Sequence, residues 1–197
     1  HQACRESGIK KWSNEKLLMG EYLSNCAQHL CFHQAYAPII AAGGNACILH
    51  YEKNNAPIHS TDLILMDAGI EWNFYASDLT RTWPSHQKPS TEQLALYRCV
   101  LDAQKEVIRA VKPGATWPQL QTIAETSLTK SLIDLKILKE SFQSCLDNQS
   151  IREFFPHGIG HWIGLDVHDP CPRFNENKSP IQFQPNMTLT IEPGLYI

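Results

Sequence analysis

The run Leu63-Ile-Leu-Met-Asp67-Ala-Gly-Ile-Glu-Trp-Asn-Phe-Tyr-Ala-Ser-Asp78-Leu-Thr-Arg-Thr-Trp83 decides how this chain is read. Leu63 to Met66 is an apolar stretch of strand length. Ala76 to Trp83 alternates small, polar and apolar residues, as a second strand would. A two-residue turn at Trp72-Asn73 joins the two and sets Asp67 directly opposite Asp78, where side chains stand with Cβ atoms roughly 5 Å apart. Two carboxylates that close repel, and one of them keeps its proton unless a cation neutralises the pair. An exposed, solvated hairpin would relieve the same conflict. The apolar run that ends in Asp67 argues against that, because buried charges occur almost solely when paired or metal-bound. A divalent ion is the expected resolution.

Further ligand-type residues follow in the second half. Pro156-His157-Gly-Ile-Gly-His161-Trp-Ile-Gly-Leu-Asp166-Val-His168-Asp169 packs three histidines and two aspartates into a short segment. The interval between His157 and His161 matches a zincin helix, but Gly158, Gly160 and Gly164 oppose a helix, and no Glu follows the first His. An extended or looped segment with close backbone approach is expected instead. In Met187-Thr-Leu-Thr-Ile-Glu192-Pro-Gly-Leu-Tyr-Ile197, strand alternation puts Thr188, Thr190 and Glu192 on one face and Leu189 and Ile191 on the other. Two Asp, a His and a Glu form an oxygen and nitrogen donor set suited to manganese, cobalt, zinc or iron.

These strings, with Gly43-Gly-Asn-Ala-Cys-Ile-Leu-His50-Tyr51, resemble the catalytic domain of Xaa-Pro aminopeptidases, the proline-specific branch of the pita-bread metallopeptidases. The likeness runs from about Trp12 to Ile197. It implies an α+β pita-bread fold, a curved, mostly antiparallel sheet with helices packed behind. It also implies two divalent ions, most often manganese, with Asp67 on one, Asp78 bridging, and His161 and Glu192 on the other. Such a pair would activate a shared water to hydrolyse the amino-terminal Xaa-Pro bond of peptides whose second residue is proline. Glu192 would double as the base that orients the water. His50 and His168 would act beside the reacting carbonyl and the leaving nitrogen, and His157 and His168 would contact substrate.

The family's fifth ligand, a bridging Glu on a later strand, has no counterpart after Glu192. The reading over residues 1–197 is therefore a single catalytic domain that is truncated, lacking that strand and the family's amino-terminal domain, and that binds metal weakly or as one ion. Prolidase, which takes only the dipeptide, and an inactive pita-bread binding module are the alternatives. A creatine-cleaving relative is disfavoured because that branch lacks the aspartate pair.

Composition sets the remaining bounds. The chain has 197 residues, 43% of them hydrophobic, and a formal charge of −3 from 17 basic and 20 acidic residues without a block of either sign. A nucleic-acid footprint is unsupported, and no run approaches the roughly 18 apolar residues of a membrane span. The 7 cysteines show no Cys-x-x-Cys spacing and read as free thiols of a reducing, cytoplasmic compartment. Homo-oligomerisation is expected only of a full-length protein. Helices are expected from a Ser13 cap to about Cys31, from the Ser90-Thr-Glu-Gln93 capping box to about Val111, and from Thr116 to about Leu132. A short helix or loop should occupy Glu140 to Glu153, and a loop Cys171 to Gln184.

Overall fold

The computed structural model describes residues 12–31, 33–85 and 88–197, so Cys4 lies outside the described residues. The chain divides into two compact units, one of His1–Gln93 with Ile163–Val167, the other of Leu94–Trp162 with His168–Ile197.

In the first unit, helix α1 (Glu15–Gln28) is followed by strands β1 (His33–Gln34), β2 (Ile39–Ala42), β3 (Leu63–Asp67), β4 (Ile70–Trp72), β5 (Tyr75–Ala76) and β6 (Thr80–Pro84). All pairings are antiparallel, in two three-stranded sheets ordered β1-β4-β5 and β2-β3-β6. β3 and β4 are thus the middle of a long arm, interrupted at Ala68-Gly69. The neighbouring arms break at the same level, between β1 and β2 on one side and between β5 and β6 on the other. Leu18 and Tyr22 of α1 pack on Ile40, Ala42, Ile64, Met66 and Trp83, a core that removes the apolar face of the sheet from water.

The hairpin differs in register from the expectation. Asn73 and Phe74, at φ 51° and 70°, form the turn, so Trp72 pairs with Tyr75 and Asp67 with Thr80. Two left-handed residues give the turn twist that matches a hairpin. Moving it by one residue shifts every pairing by two, which preserves the faces and leaves Asp78 diagonal to Asp67 rather than opposite it. The pairing alternates in burial, with Ile64 and Met66 buried and Leu63, Leu65 and Asp67 half-buried, so β3 is not covered equally on both faces.

α1 is capped by Asn14, whose side chain accepts from the Lys16 N–H at 2.8 Å, not by Ser13. The Ser13 carbonyl instead accepts from the Ile58 N–H at 2.9 Å, beside the bridge of Asn14 with Pro57. The helix stops at Gln28, short of Cys31, where Leu30 turns left-handed at φ 59°.

The second unit is helical: α2 (Thr91–Ala110) enters it, and α3 (Trp117–Asp134) and the short α4 (Phe142–Asp147) follow, with a 3-10 turn at Ser150–Glu153. The expected capping box at Ser90 is present, and the helix that starts at Thr116 has a second one. The Ser90 N–H donates to Gln93 Oε1 at 2.9 Å and the Gln93 N–H to Ser90 Oγ at 3.1 Å, while the Thr116 N–H donates to Gln119 Oε1 at 3.0 Å. Trp117, Leu120, Ala124, Leu128 and Leu132 of α3 meet Phe155, Ile159, Trp162 and Phe183 in one core.

Met187 to Ile197 is extended but forms no regular strand; its one ladder bridge is Leu189 with Trp162. Thr190 and Glu192 donate their N–H groups to the carbonyls of His161 and Ile159, at 2.9 Å each. The reciprocal bond is diverted, because the His161 N–H donates to the Thr190 hydroxyl at 2.9 Å instead of to a backbone carbonyl. The expected alternation survives: Leu189 and Ile191 pack on the core.

Candidate metal centre

In the first unit, Asp67 and Asp78 share one hydroxyl. Tyr36 Oη donates to Asp67 Oδ1 and lies 2.7 Å from Asp78 Oδ1. Tyr36 stands in the gap between β1 and β2, alongside the break in the β3-β4 arm, where the Ala35 N–H donates to the Gly69 carbonyl at 3.1 Å. Gly69 is required there: a Cβ on it would lie 1.8 Å from the Ser77 carbonyl oxygen and 2.9 Å from the Tyr36 ring. That close approach of the arms lets diagonal aspartates reach one donor, a distance that the register alone would leave at about 7–8 Å.

Their electrostatics match the expected conflict. Burial is the main cause that raises the Asp67 carboxyl above its ordinary value; the Tyr36 hydrogen bond pulls it down and the Asp78 charge raises it further. Burial, and then the Asp67 charge, push the Tyr36 hydroxyl far above its ordinary value, so it remains a donor throughout the working range. Thr80 also hydrogen-bonds Asp67, but neutral donors leave the two like charges facing each other in a half-buried place, a conflict that a cation would relieve.

In the second unit, His161 and Glu192 form the other set. His161 Nε2 lies 3.3 Å from Glu192 Oε1, and Thr190 Oγ1 donates to that same oxygen at 2.9 Å. His161 Nδ1 lies 2.9 Å from the Trp162 carbonyl oxygen, an acceptor that places a proton on Nδ1 and leaves Nε2, beside Glu192, as the ligand-type nitrogen. Gly160 is as constrained as Gly69, since a Cβ would stand 2.1 Å from the Thr190 carbonyl oxygen. The His168 ring meets the His161 ring edge-on with centroids 4.3 Å apart.

His157 is held by Tyr196, with Nε2 and the hydroxyl 2.9 Å apart, and stands edge-on to Phe155 at 4.8 Å. Burial holds its imidazole below the ordinary value, opposed by a hydrogen bond with the Gly158 carbonyl. Arg173, from the loop between Cys171 and Gln184, donates to the Gly160 carbonyl at 2.6 Å and lies over the Trp117 ring at 4.9 Å.

His50 is exposed in the turn that follows a 3-10 segment, Gly43–Cys47. Its neighbours are anchored. The Tyr51 hydroxyl donates to Glu15 Oε2 at 2.7 Å, and Asn54 accepts from the Ile40 N–H at 2.7 Å while donating to the Pro38 carbonyl at 2.8 Å.

The structure thus brings Asp67 to Asp78 and His161 to Glu192 and His168. Among the described residues, no group of three or more His, Cys, Asp or Glu side chains is gathered closely enough to hold a metal ion. The donor types nevertheless fit a divalent first-row ion: carboxylate oxygens in one unit, an oriented imidazole with a carboxylate in the other. Sequence reasoning missed Tyr36, Thr190, Tyr196 and Arg173. A hydroxyl or guanidinium carries no spacing pattern of its own, and only the strand pairing shows what it reaches.

Comparison with known proteins gives one family. The family model described as "Metallopeptidase family M24" matches residues 1–197. The "Xaa-Pro aminopeptidase" of Haemophilus influenzae is 40% identical over 183 residues, which cover 93% of this chain and 41% of that protein. The "Probable Xaa-Pro aminopeptidase" of Podospora anserina is 39% identical over 95% of this chain and 43% of its own length. Among solved structures, Pseudomonas aeruginosa aminopeptidase PepP superposes with a TM-score of 0.93 at 34% identity, covering 99% of this chain and 45% of that one. The zinc-substituted Escherichia coli aminopeptidase P in complex with product gives 0.90 at 34% identity, over 96% of this chain and 43% of that one. The chain spans less than half the length of these relatives. With its aspartate pair, its oriented histidine and this likeness over nearly every residue, the chain belongs to metallopeptidase family M24, has the family's pita-bread fold and is similar within it to the Xaa-Pro aminopeptidases.

Proposed function

We propose that this chain is the metal-binding part of an aminopeptidase that releases the first residue from peptides with proline second, using Asp67, Asp78, His161 and Glu192 as ligands to two divalent ions, manganese foremost. The observation that carries the reading is the half-buried aspartate pair around one hydroxyl, with Asp67 held above its ordinary range. When bound, the ions supply Lewis acidity toward the scissile carbonyl and acidify water. The remaining steps belong to side chains. Tyr36 fixes the orientation of both aspartates, as an outer partner does for ligands. Glu192, steadied by Thr190, orients the attacking water and receives its proton. His168, packed on His161, donates to the developing oxyanion, and His50 passes a proton to the departing proline nitrogen. His157, kept neutral by burial and fixed by Tyr196, lines the substrate side.

The test is release of the first residue from an Xaa-Pro-Yaa tripeptide with added manganese, by the protein that contains this chain. Expected is turnover that disappears when alanine replaces proline at the second position. Absence of turnover with manganese, cobalt, zinc and iron, together with no heat of metal binding, overturns the reading. Cleavage of Xaa-Pro alone and not of the tripeptide would instead identify a prolidase.

A further inference from the structure

The C-terminus of α1 places two cysteines in contact positions of a single turn. The Cys31 N–H donates to the Cys26 carbonyl at 2.9 Å and the Leu30 N–H to the Ala27 carbonyl at 3.0 Å, with Leu30 left-handed at φ 59°. That is the Schellman arrangement, in which the side chains of the third-last helical residue and the second residue past the cap meet. Here those residues are Cys26 and Cys31. Standard bond lengths on either side of the 2.9 Å hydrogen bond cap their Cα separation at about 6.8 Å, the limit that a disulfide spans. Both are thiols of intermediate exposure. Cys26 packs at the margin of the α1 core, and Cys31 Sγ has only a weak contact with the His29 carbonyl, at 3.6 Å.

The geometry points to a reversible redox site: Cys26 and Cys31 form an intrachain disulfide when a small-molecule disulfide such as oxidised glutathione is the oxidant. The Cys31 thiolate attacks one glutathione sulfur and releases one glutathione thiolate, which takes up the proton that Cys31 lost. The Cys26 thiolate then attacks Cys31 Sγ and releases the second, which takes up the proton from Cys26. Two protein thiols are oxidised and one glutathione disulfide is reduced to two thiols. The loop closed is only a few residues long and already has its native turn, so the bond forms with little rearrangement. Its structural effect is to fix the start of the segment that runs through β1 to Tyr36, and it is independent of the metal reading.

Mass mapping after incubation in oxidised glutathione, followed by alkylation and chymotryptic cleavage, tests it. Expected is a species two mass units lighter, with Cys26 linked to Cys31, that dithiothreitol restores. In Cys26→Ser, Cys31 should retain one glutathione, because the second attack is gone. Amide exchange at Leu30 and Cys31 in the oxidised wild-type chain should slow by at least about tenfold. Recovery of Cys26 and Cys31 as alkylated thiols while exposed Cys171 becomes glutathionylated overturns the proposal. So does a persistent glutathione adduct on Cys31 in the wild-type chain, or linkage of either residue to another cysteine.

Discussion

Asp67 has a stability consequence that can be separated from its role as a ligand. Its native carboxyl titrates above the ordinary value, so whatever stability it contributes is present below about pH 4 and lost as pH rises through its native value. Asp67→Asn should therefore raise the melting temperature of the metal-free protein by a few degrees at pH 7, leave it nearly unchanged at pH 4, and abolish manganese binding in calorimetric titration. An unaltered melting temperature at pH 7 would mean that the aspartates are solvated. His157 has the opposite signature. Burial lowers its native value below the unfolded value of about 6.5, so stability is present above that pH and falls as pH drops through the native value. Thermal melts between pH 7 and 5 should show that slope, and His157→Gln should flatten it.

At the level of the element, the hairpin shows what patterning can and cannot locate. The apolar run identified β3 and the alternation identified β6, though the single strand expected from Ala76 to Trp83 is broken after Ala76. The even side-chain period kept the two aspartates on a common face although the turn fell one residue later than expected. Turn placement was illegible because Phe74 breaks the usual rule: it is left-handed at φ 70° without being Gly, Asn or Asp. An L-residue in that region costs about 1–2 kcal/mol, and glycine gives back about 0.5–1 kcal/mol of it in chain entropy. Since Phe74 is 80% exposed and has little packing to lose, Phe74→Gly should stabilise the protein by about 0.5–1 kcal/mol in urea denaturation. A loss instead would place Phe74 in an unrecognised contact. The capping box at Ser90 and the helix start at Thr116 were legible because they rest on local contacts. The Met187 to Ile197 segment was misread as regular strand because one threonine hydroxyl takes a ladder bond, a substitution invisible in hydropathy.

For the whole molecule, family and fold class were readable because several separated strings keep one order along the chain, and the family match spans residues 1–197. The four proposed ligand residues were singled out for the same reason, but the hydroxyl that contacts the aspartates was not: Tyr36 reaches them only through the pairing of β1 with β4. Bound metal should stabilise the native state by mass action, so chelation from a hundredfold excess over Kd should lower the melting temperature by about 5–10 °C. A midpoint that ignores both manganese and chelator would count against a resident ion. Glu15 is a fully buried carboxylate that accepts at 2.7–3.0 Å from the Ala42 N–H at the end of β2 and from Asn45, Tyr51 and the Ala56 N–H on the excursion that holds His50. A designer treating this glutamate as an ordinary acidic ornament of a helix start, free to be swapped for lysine, would unlatch that excursion and leave its histidine adrift at a distance from the edit.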